Sequence, residues 1–328
     1  MYLNVSLELS MVLTTDEFND LFDRKAHNLE DIDEDKFIDR SMEEKGLLVT
    51  YRASQYKKKI KLTINPNVIL GGDEPDKANS EKLIRKLEKR VESYFKGDYC
   101  LDHFNPNKLF IVTDIDVGSR DRAADYIKVL QRVGKIKGYS VPRKHWLDDK
   151  VGYCLEGNSN GTEFLIYDIE RLLKAQAEES DFEDRELKPI IKKAEGVLRA
   201  EVRLVKSTAI RALVDSCSVT EQVAALCGKA REAFLNVFLR AVPFGDFHKK
   251  DKAVEIIKKE VKDETIRRRM LRLVDLIPEK RSMLLSQKAM DYRRMDEVME
   301  TFQRIDLAPV TLSKRHEIKR LDNLYKYM

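Results

Sequence analysis

Two pairs of β-type runs stand back to back in this chain, and they restrict its fold more than any other feature of the sequence. GLLVTYRAS and KKIKLTINP are joined around Gln55–Lys57, and VGYCLEG and TEFLIYDIE around the turn Asn158-Ser159-Asn160-Gly161. Strands so close together pair antiparallel, because a parallel connection needs a crossover of a dozen residues or more. The Asn-Gly dipeptide is itself a strong hairpin turn. Through residue 206 the order is strand, strand, helix, strand, helix, strand, strand, helix, strand. That order predicts an α+β fold, an antiparallel sheet with packed helices, rather than a doubly wound parallel sheet. The helices follow from their period. In EKLIRKLEKRVESYF, capped by Asn79 or Ser80, the residues Leu83, Ile84, Leu87, Val91 and Phe95 share a face. DRAADYIKVLQRVG is stopped by Gly134.

Residues 1–45, mixed apolar and acidic, read as a polar, helical or loop segment packed on the core. Residues 46–206 hold the α+β domain. Beyond Ser207 the β signal ends, and TEQVAALCGKAREAFLNVFLRAV, DKAVEIIKKEVKD, ETIRRRMLRLVDLI and MDEVMETFQRI predict an all-helical domain over 207–328. This last part is basic: residues 249–328 carry 21 Lys or Arg against 14 Asp or Glu, a balance of +7 in a chain whose formal net charge is +4. A basic module beside a near-neutral body fits a polyanion partner, and equally a solvated helical bundle rich in lysine.

Other features exclude whole classes of function. With 13 Gly and 8 Pro in 328 residues, the chain favours long regular elements. No window of 18 apolar residues offers a membrane span, and MYLNVSLELSMVLTTDEFND lacks the basic start of a secretory signal. Cys100, Cys154, Cys217 and Cys227 lie far apart with no CxxC, which fits single thiols in a reducing cytoplasm. The histidines His27, His103, His145, His248 and His316 show no HxH, HExxH or zinc spacing, and GxSxG, Walker and GxGxxG patterns are missing.

What remains is acid, arginine and phenol. In VTDIDVG, Asp114 and Asp116 are two residues apart on an apolar strand and so share a face. Two carboxylates there suit Mg²⁺ or Mn²⁺, or cap the helix that starts near Asp121. In LRAEVRL, Arg199, Glu201 and Arg203 share a face, either as an ion-pair ladder or as a metal ligand between phosphate clamps. Tyr167 closes the strand EFLIYDIE just before a helix. It is either a core residue with its hydroxyl at the rim or a nucleophile towards a phosphodiester.

The serial order GLLVTYRASQYKKKIKLTINPNVILGGDE, TDIDVG, EFLIYDIE and LRAEVRLVK resembles the phage and plasmid replication proteins of the gene II/X family over residues 46–206. These are rolling-circle initiators, related to plasmid Rep proteins and conjugative relaxases. The resemblance implies nicking of one DNA strand at an origin through a 5′-phosphotyrosyl intermediate. It implies Tyr167 as nucleophile, Asp116 and Glu201 as ligands of Mg²⁺ or Mn²⁺, and Arg203 on the scissile phosphate or orienting Glu201; Asp114 adds a negative charge that is either a further ligand or a local compensation. Two positions depart from the family pattern: Asp114 stands in place of an arginine and Ile169 in place of a lysine, with Arg171 and Lys174 as nearby cations. The histidine-hydrophobe-histidine motif of other rolling-circle nucleases is missing, as a carboxylate-type subgroup allows.

The expected partner is origin DNA, single-stranded or melted, with a host helicase as a further partner and no membrane. LSKRHEIKRLDNLYKY reads as a recognition helix capped by Thr311 or Ser313, with Lys314, Arg315, Lys319 and Arg320 towards phosphates or bases, or as an amphipathic helix folded back through Ile318, Leu321 and Leu324. Tyr153 and Tyr126 are further phenols for a second nucleophile. A non-catalytic DNA-binding protein on the same fold, and a protein whose basic helices bind an acidic partner, are the competing readings.

Overall fold

The computed structural model describes residues 1–159, 161–179, 184–214, 216 and 218–328. Asn160 of the predicted turn, Ser180–Glu183 of the acidic stretch and Cys217 lie outside the described residues.

Among these residues, ten strands form one antiparallel sheet: β1 (Asn4–Leu13), β2 (Leu29–Asp33), β3 (Lys36–Asp39), β4 (Leu47–Ala53), β5 (Lys58–Ile64), β6 (Asn105–Asp116), β7 (Tyr139–Ser140), β8 (Gly152–Gly157), β9 (Thr162–Asp168) and β10 (Val197–Leu204). Their order is β2-β3-β4-β5-β1-β6-β10-β9-β8-β7. Both predicted hairpins form, β4 with β5 and β8 with β9, and Gly161 at the second turn has φ +65°, which a glycine adopts without strain. The fold class is α+β, as the strand order requires.

The N-terminal segment is sheet rather than a polar helical appendage. NVSLELSMVL alternates, burying Val5, Leu7, Leu9 and Met11, and this period of two makes β1 an inner strand between β5 and β6. Within residues 1–45 the helical expectation holds for α1 (Thr15–Lys25) alone among the α-helices.

The remaining helices of the sheet region are α2 (Pro66–Leu70), α3 (Ser80–Phe95), α4 (Arg120–Gln131), α5 (Ile169–Glu179) and α6 (Asp184–Lys193). After β10 come α7 (Ser207–Leu213), α8 (Val219–Gly228), α9 (Ala230–Ala241), α10 (Lys250–Glu260), α11 (Glu264–Lys280), α12 (Met283–Met290) and α13 (Met295–Arg304). The chain does not separate at residue 207: α7 and α8 pack on β6, α9 packs on β9 and β10, and one buried apolar cluster runs from Leu3 to Leu324.

Strand alternation gives the sheet two unlike faces. On β6, Leu109, Ile111 and Ile115 enter the large cluster, whereas Phe110, Val112, Asp114 and Asp116 point the other way. On β10, Leu198, Ala200 and Val202 are buried under helices, leaving Arg199, Glu201 and Arg203 on the opposite face. On β9, Phe164 and Ile166 join the large cluster, while Leu165 and Tyr167 join a smaller one with Leu147, Val151, Cys154, Ile169 and Ala194. Among the described residues, the 141–151 loop and α5 cover one end of the second face.

The C-terminal stretch is not a helix. β12 (Arg320–Leu321) pairs with β11 (Phe247–His248), and a short 3₁₀ turn, Leu324–Tyr327, ends the chain. Tertiary bonds override the helical period here: Asn323 N–H donates to Asp246 at 2.7 Å, Tyr126 Oη donates to the Asp322 carbonyl at 2.7 Å, and Tyr325 Oη to the Val242 carbonyl at 2.8 Å. The tail staples α4 to the helical region.

Candidate active site

The thinly covered face brings Tyr167, Glu201 and Arg203 together. Tyr167 sits opposite Arg199, and Glu201 opposite Leu165, so phenol and carboxylate are diagonal neighbours. Such pairs are roughly 7–8 Å apart at Cα, within reach of two long side chains. The Tyr167 hydroxyl donates to Glu201 Oε1 at 2.5 Å, and Arg203 Nε donates to Glu201 Oε2 at 2.6 Å. Both oxygens of a carboxylate that is only 6% exposed are therefore bonded. Burial, and then the negative charge of Glu201, hold the Tyr167 phenol well above the ordinary phenol range.

Two ring contacts finish this cluster. The Arg203 guanidinium lies 5.0 Å from the centre of the Trp146 ring and 5.8 Å from that of Phe110. Trp146 stands edge-on to Tyr167 at 6.2 Å, is 52% exposed, and lids a phenol residue that is 4% exposed. The loop carrying Trp146 also lines a groove of about 730 Å³ with Arg143, Lys144 and His145. It packs so close to the sheet because of Gly152, opposite Tyr167: a Cβ there would stand 2.8 Å from Tyr167 Cβ.

The sequence motifs did not reveal Trp146. Its available signal was the chain's single tryptophan set in the basic run VPRKHW, but that run has no period to place it.

The three expected metal ligands do not converge. Asp114 faces Arg199, which grips it through two hydrogen bonds of 2.7 and 2.8 Å; this bonded partner raises the Arg199 pKa. Asp116 is exposed and accepts the Gly118 N–H at 2.8 Å, and the cap of α4 is Ser119. Asp116 pairs with Val197, four residues along β10 from Glu201, or about 13 Å at the usual rise per residue. Carboxylates that share a Mg²⁺ each approach it to about 2.1 Å. As arranged, Asp114, Asp116 and Glu201 do not fit one ion, and among the described residues no group of three or more His, Cys, Asp or Glu could hold a metal.

Ile169 belongs to the apolar packing beneath Tyr167, Arg171 pairs with Asp168 at 3.3 Å and Lys174 with Glu170 at 2.6 Å. Tyr153 and Tyr126 are buried within the large cluster, their hydroxyls donating to the Gly134 and Asp322 carbonyls at 2.7 Å, so neither joins Tyr167. Lys314, Arg315 and Lys319 are exposed on the non-helical tail, and Arg320 pairs with Asp246 at 2.7 Å and Asp322 at 3.0 Å. The sequence-predicted DNA-binding residues thus sit on the tail, not on a recognition helix.

A phenol bonded to a carboxylate can pass its proton there as its oxygen attacks an electrophile, and flanking guanidiniums suit a phosphate. No family model matches the chain, and no curated protein matches it. Among solved structures, a rolling circle replication initiator protein from Geobacillus stearothermophilus matches at 8% identity and a TM-score of 0.29, over 80% of this chain and 90% of that one.

Proposed function

We propose that this chain cuts one strand of DNA at a replication origin by attack of the Tyr167 hydroxyl on a phosphodiester. The Tyr167 oxygen bonds to phosphorus, the bond from phosphorus to the 3′ oxygen breaks, and the strand leaves a 5′-phosphotyrosyl end and a free 3′-hydroxyl. The phenol proton passes to Glu201, and the leaving 3′ oxygen takes a proton from water. One observation carries the reading: the 2.5 Å hydrogen bond from Tyr167 to Glu201, with Arg203 on the other carboxylate oxygen.

The phenol is held above its ordinary range, so a free phenolate is scarce at neutral pH. Proton transfer during attack avoids that state, and a positioned base of this kind contributes about 10²–10⁴ in rate. Arg203 turns from Glu201 towards the incoming phosphate as the carboxylate gains its proton. Arg199, held by Asp114 through two hydrogen bonds, ties β10 to β6. Mg²⁺ or Mn²⁺, implied by the family resemblance, receives no step, because the acids do not converge.

A second reading, DNA binding without cleavage, is favoured by the burial of Tyr167 under Trp146. A labelled single-stranded oligonucleotide, offered with and without Mn²⁺, separates the two. A covalent adduct that is lost in Tyr167→Phe supports cleavage. Tight, salt-dependent retention with no adduct under either condition supports the binding protein.

A further inference from the structure

α10 and α11 are joined by three residues, Val261, Lys262 and Asp263. The turn is fixed at both ends: Val261 is 3% exposed in the core, and the Asp263 carboxylate accepts the Ile266 N–H at 2.9 Å to cap α11. Ala253 and Ile257 of α10, Met270, Leu273 and Val274 of α11, and Val298 and Phe302 of α13 are all buried. α11 packs on both α10 and α13. Two helices joined by a three-residue turn and braced by a third share the connectivity of a helix-turn-helix.

The basic excess lies at the start of α11: residues 261–272 carry five Lys or Arg against two Asp or Glu, whereas α11 as a whole, Glu264–Lys280, carries five against three. Thr265, Arg268 and Arg272 are exposed at helical spacing along one side of α11, and Lys262 is exposed in the turn before it. Arg268 has only a 4.0 Å contact with an equally exposed Glu264, and among the described residues no ion pair engages Lys262 or Arg272. Arg269 is braced over the Tyr292 ring at 4.7 Å.

We infer that α11 is a reading helix for duplex DNA, presented by the turn at 261–263 to the major groove. The groove, about 12 Å wide, admits one α-helix. From Glu264 to Arg272 α11 rises about 12 Å at 1.5 Å per residue, with Lys262 in the turn before it, which lets end cations meet phosphates on both rims. This surface lies on different elements from Tyr167, Glu201 and Arg203, and its partner is duplex rather than a cut single strand. The sequence pattern pointed to the tail at 314–320 for this task; a helix on a packed three-helix unit fits it better.

The test uses the full chain with Arg268→Glu and Arg272→Glu together, exposed positions whose thermal unfolding should match the parent. Binding to a labelled duplex is measured from 50 to 200 mM salt beside adduct formation on a single-stranded oligonucleotide. The inference expects duplex affinity to fall at least tenfold and the salt slope to drop by about 2, with adduct formation unchanged. Parent-like duplex affinity and slope in a folded variant would overturn it. So would parent binding to polyglutamate in preference to the duplex, which would make the face an acidic-protein site.

Discussion

Tyr167 and Glu201 meet across neighbouring strands without being register partners: Tyr167 pairs with Arg199 and Glu201 with Leu165, yet the hydroxyl and Oε1 are 2.5 Å apart. The diagonal matters because it lets the carboxylate take the phenol on one oxygen while Arg203 holds the other. Glu201→Gln keeps the shape but loses the base. Adduct formation should fall by about 10²–10⁴ while far-ultraviolet circular dichroism stays that of the parent. A variant that forms adduct at the parent rate would remove Glu201 from the chemistry.

The pH profile follows from the same pair. Because Glu201 takes the phenol proton during attack, the rate does not track free phenolate, and with Tyr167 held above the ordinary phenol value of 10 no break is expected as pH passes through that value. A tenfold increase in adduct rate per pH unit approaching pH 10 would mean that free phenolate is the attacking species.

Trp146 is the lid, and as the chain's single tryptophan it reports on itself. A base that stacks on it should quench its emission. Trp146→Ala should weaken binding of a short single-stranded oligonucleotide by about 1–3 kcal/mol, the usual worth of one base on one ring. Emission that does not change on saturating oligonucleotide would place the strand elsewhere.

Much of this site was legible as pattern and little of it as contact. Alternation in VTDIDVG and LRAEVRL put Asp114 with Asp116, and Arg199 with Glu201 and Arg203, on shared faces, because side-chain direction in a strand is a local property. Which of them meet depends on register: Asp114 lands on Arg199, and Asp116 four residues from Glu201. No single-strand pattern carries that. The tail's apolar spacing at Ile318, Leu321 and Leu324 was overridden by bonds to Asp246, Tyr126 and Val242.

Alkaline stability should be limited by buried phenols. Burial raises the pKa of Tyr153, Tyr325 and Tyr126, as it does that of Tyr167. A raised folded value favours the neutral form in the native state. Their contribution is complete below the unfolded value near 10 and is lost as pH climbs above it, where only the unfolded chain releases protons. Each such group then costs about 1.4 kcal/mol per pH unit. Phenolate absorbance and loss of circular dichroism should rise together above pH 10; phenols that titrate fully near 10 in a folded chain would refute this.

Gly152 is the position where the site and the fold depend on the same absent atom. It lies opposite Tyr167, and a Cβ would press on Tyr167 Cβ at 2.8 Å and on the Ile166 carbonyl at 2.9 Å. Those two neighbours belong to a paired strand and cannot swing aside, whereas the third, Leu147 Cδ2 at 2.5 Å, lies on the loop, so that end of the loop must lift. Gly152→Ala should cost about 1–3 kcal/mol in denaturant unfolding, as overpacked sites do. It should also displace Trp146 from Tyr167 and Arg203, shifting the tryptophan emission to longer wavelength as the ring gains water. A parent spectrum with parent stability would show that the loop is not seated on β9 through this contact.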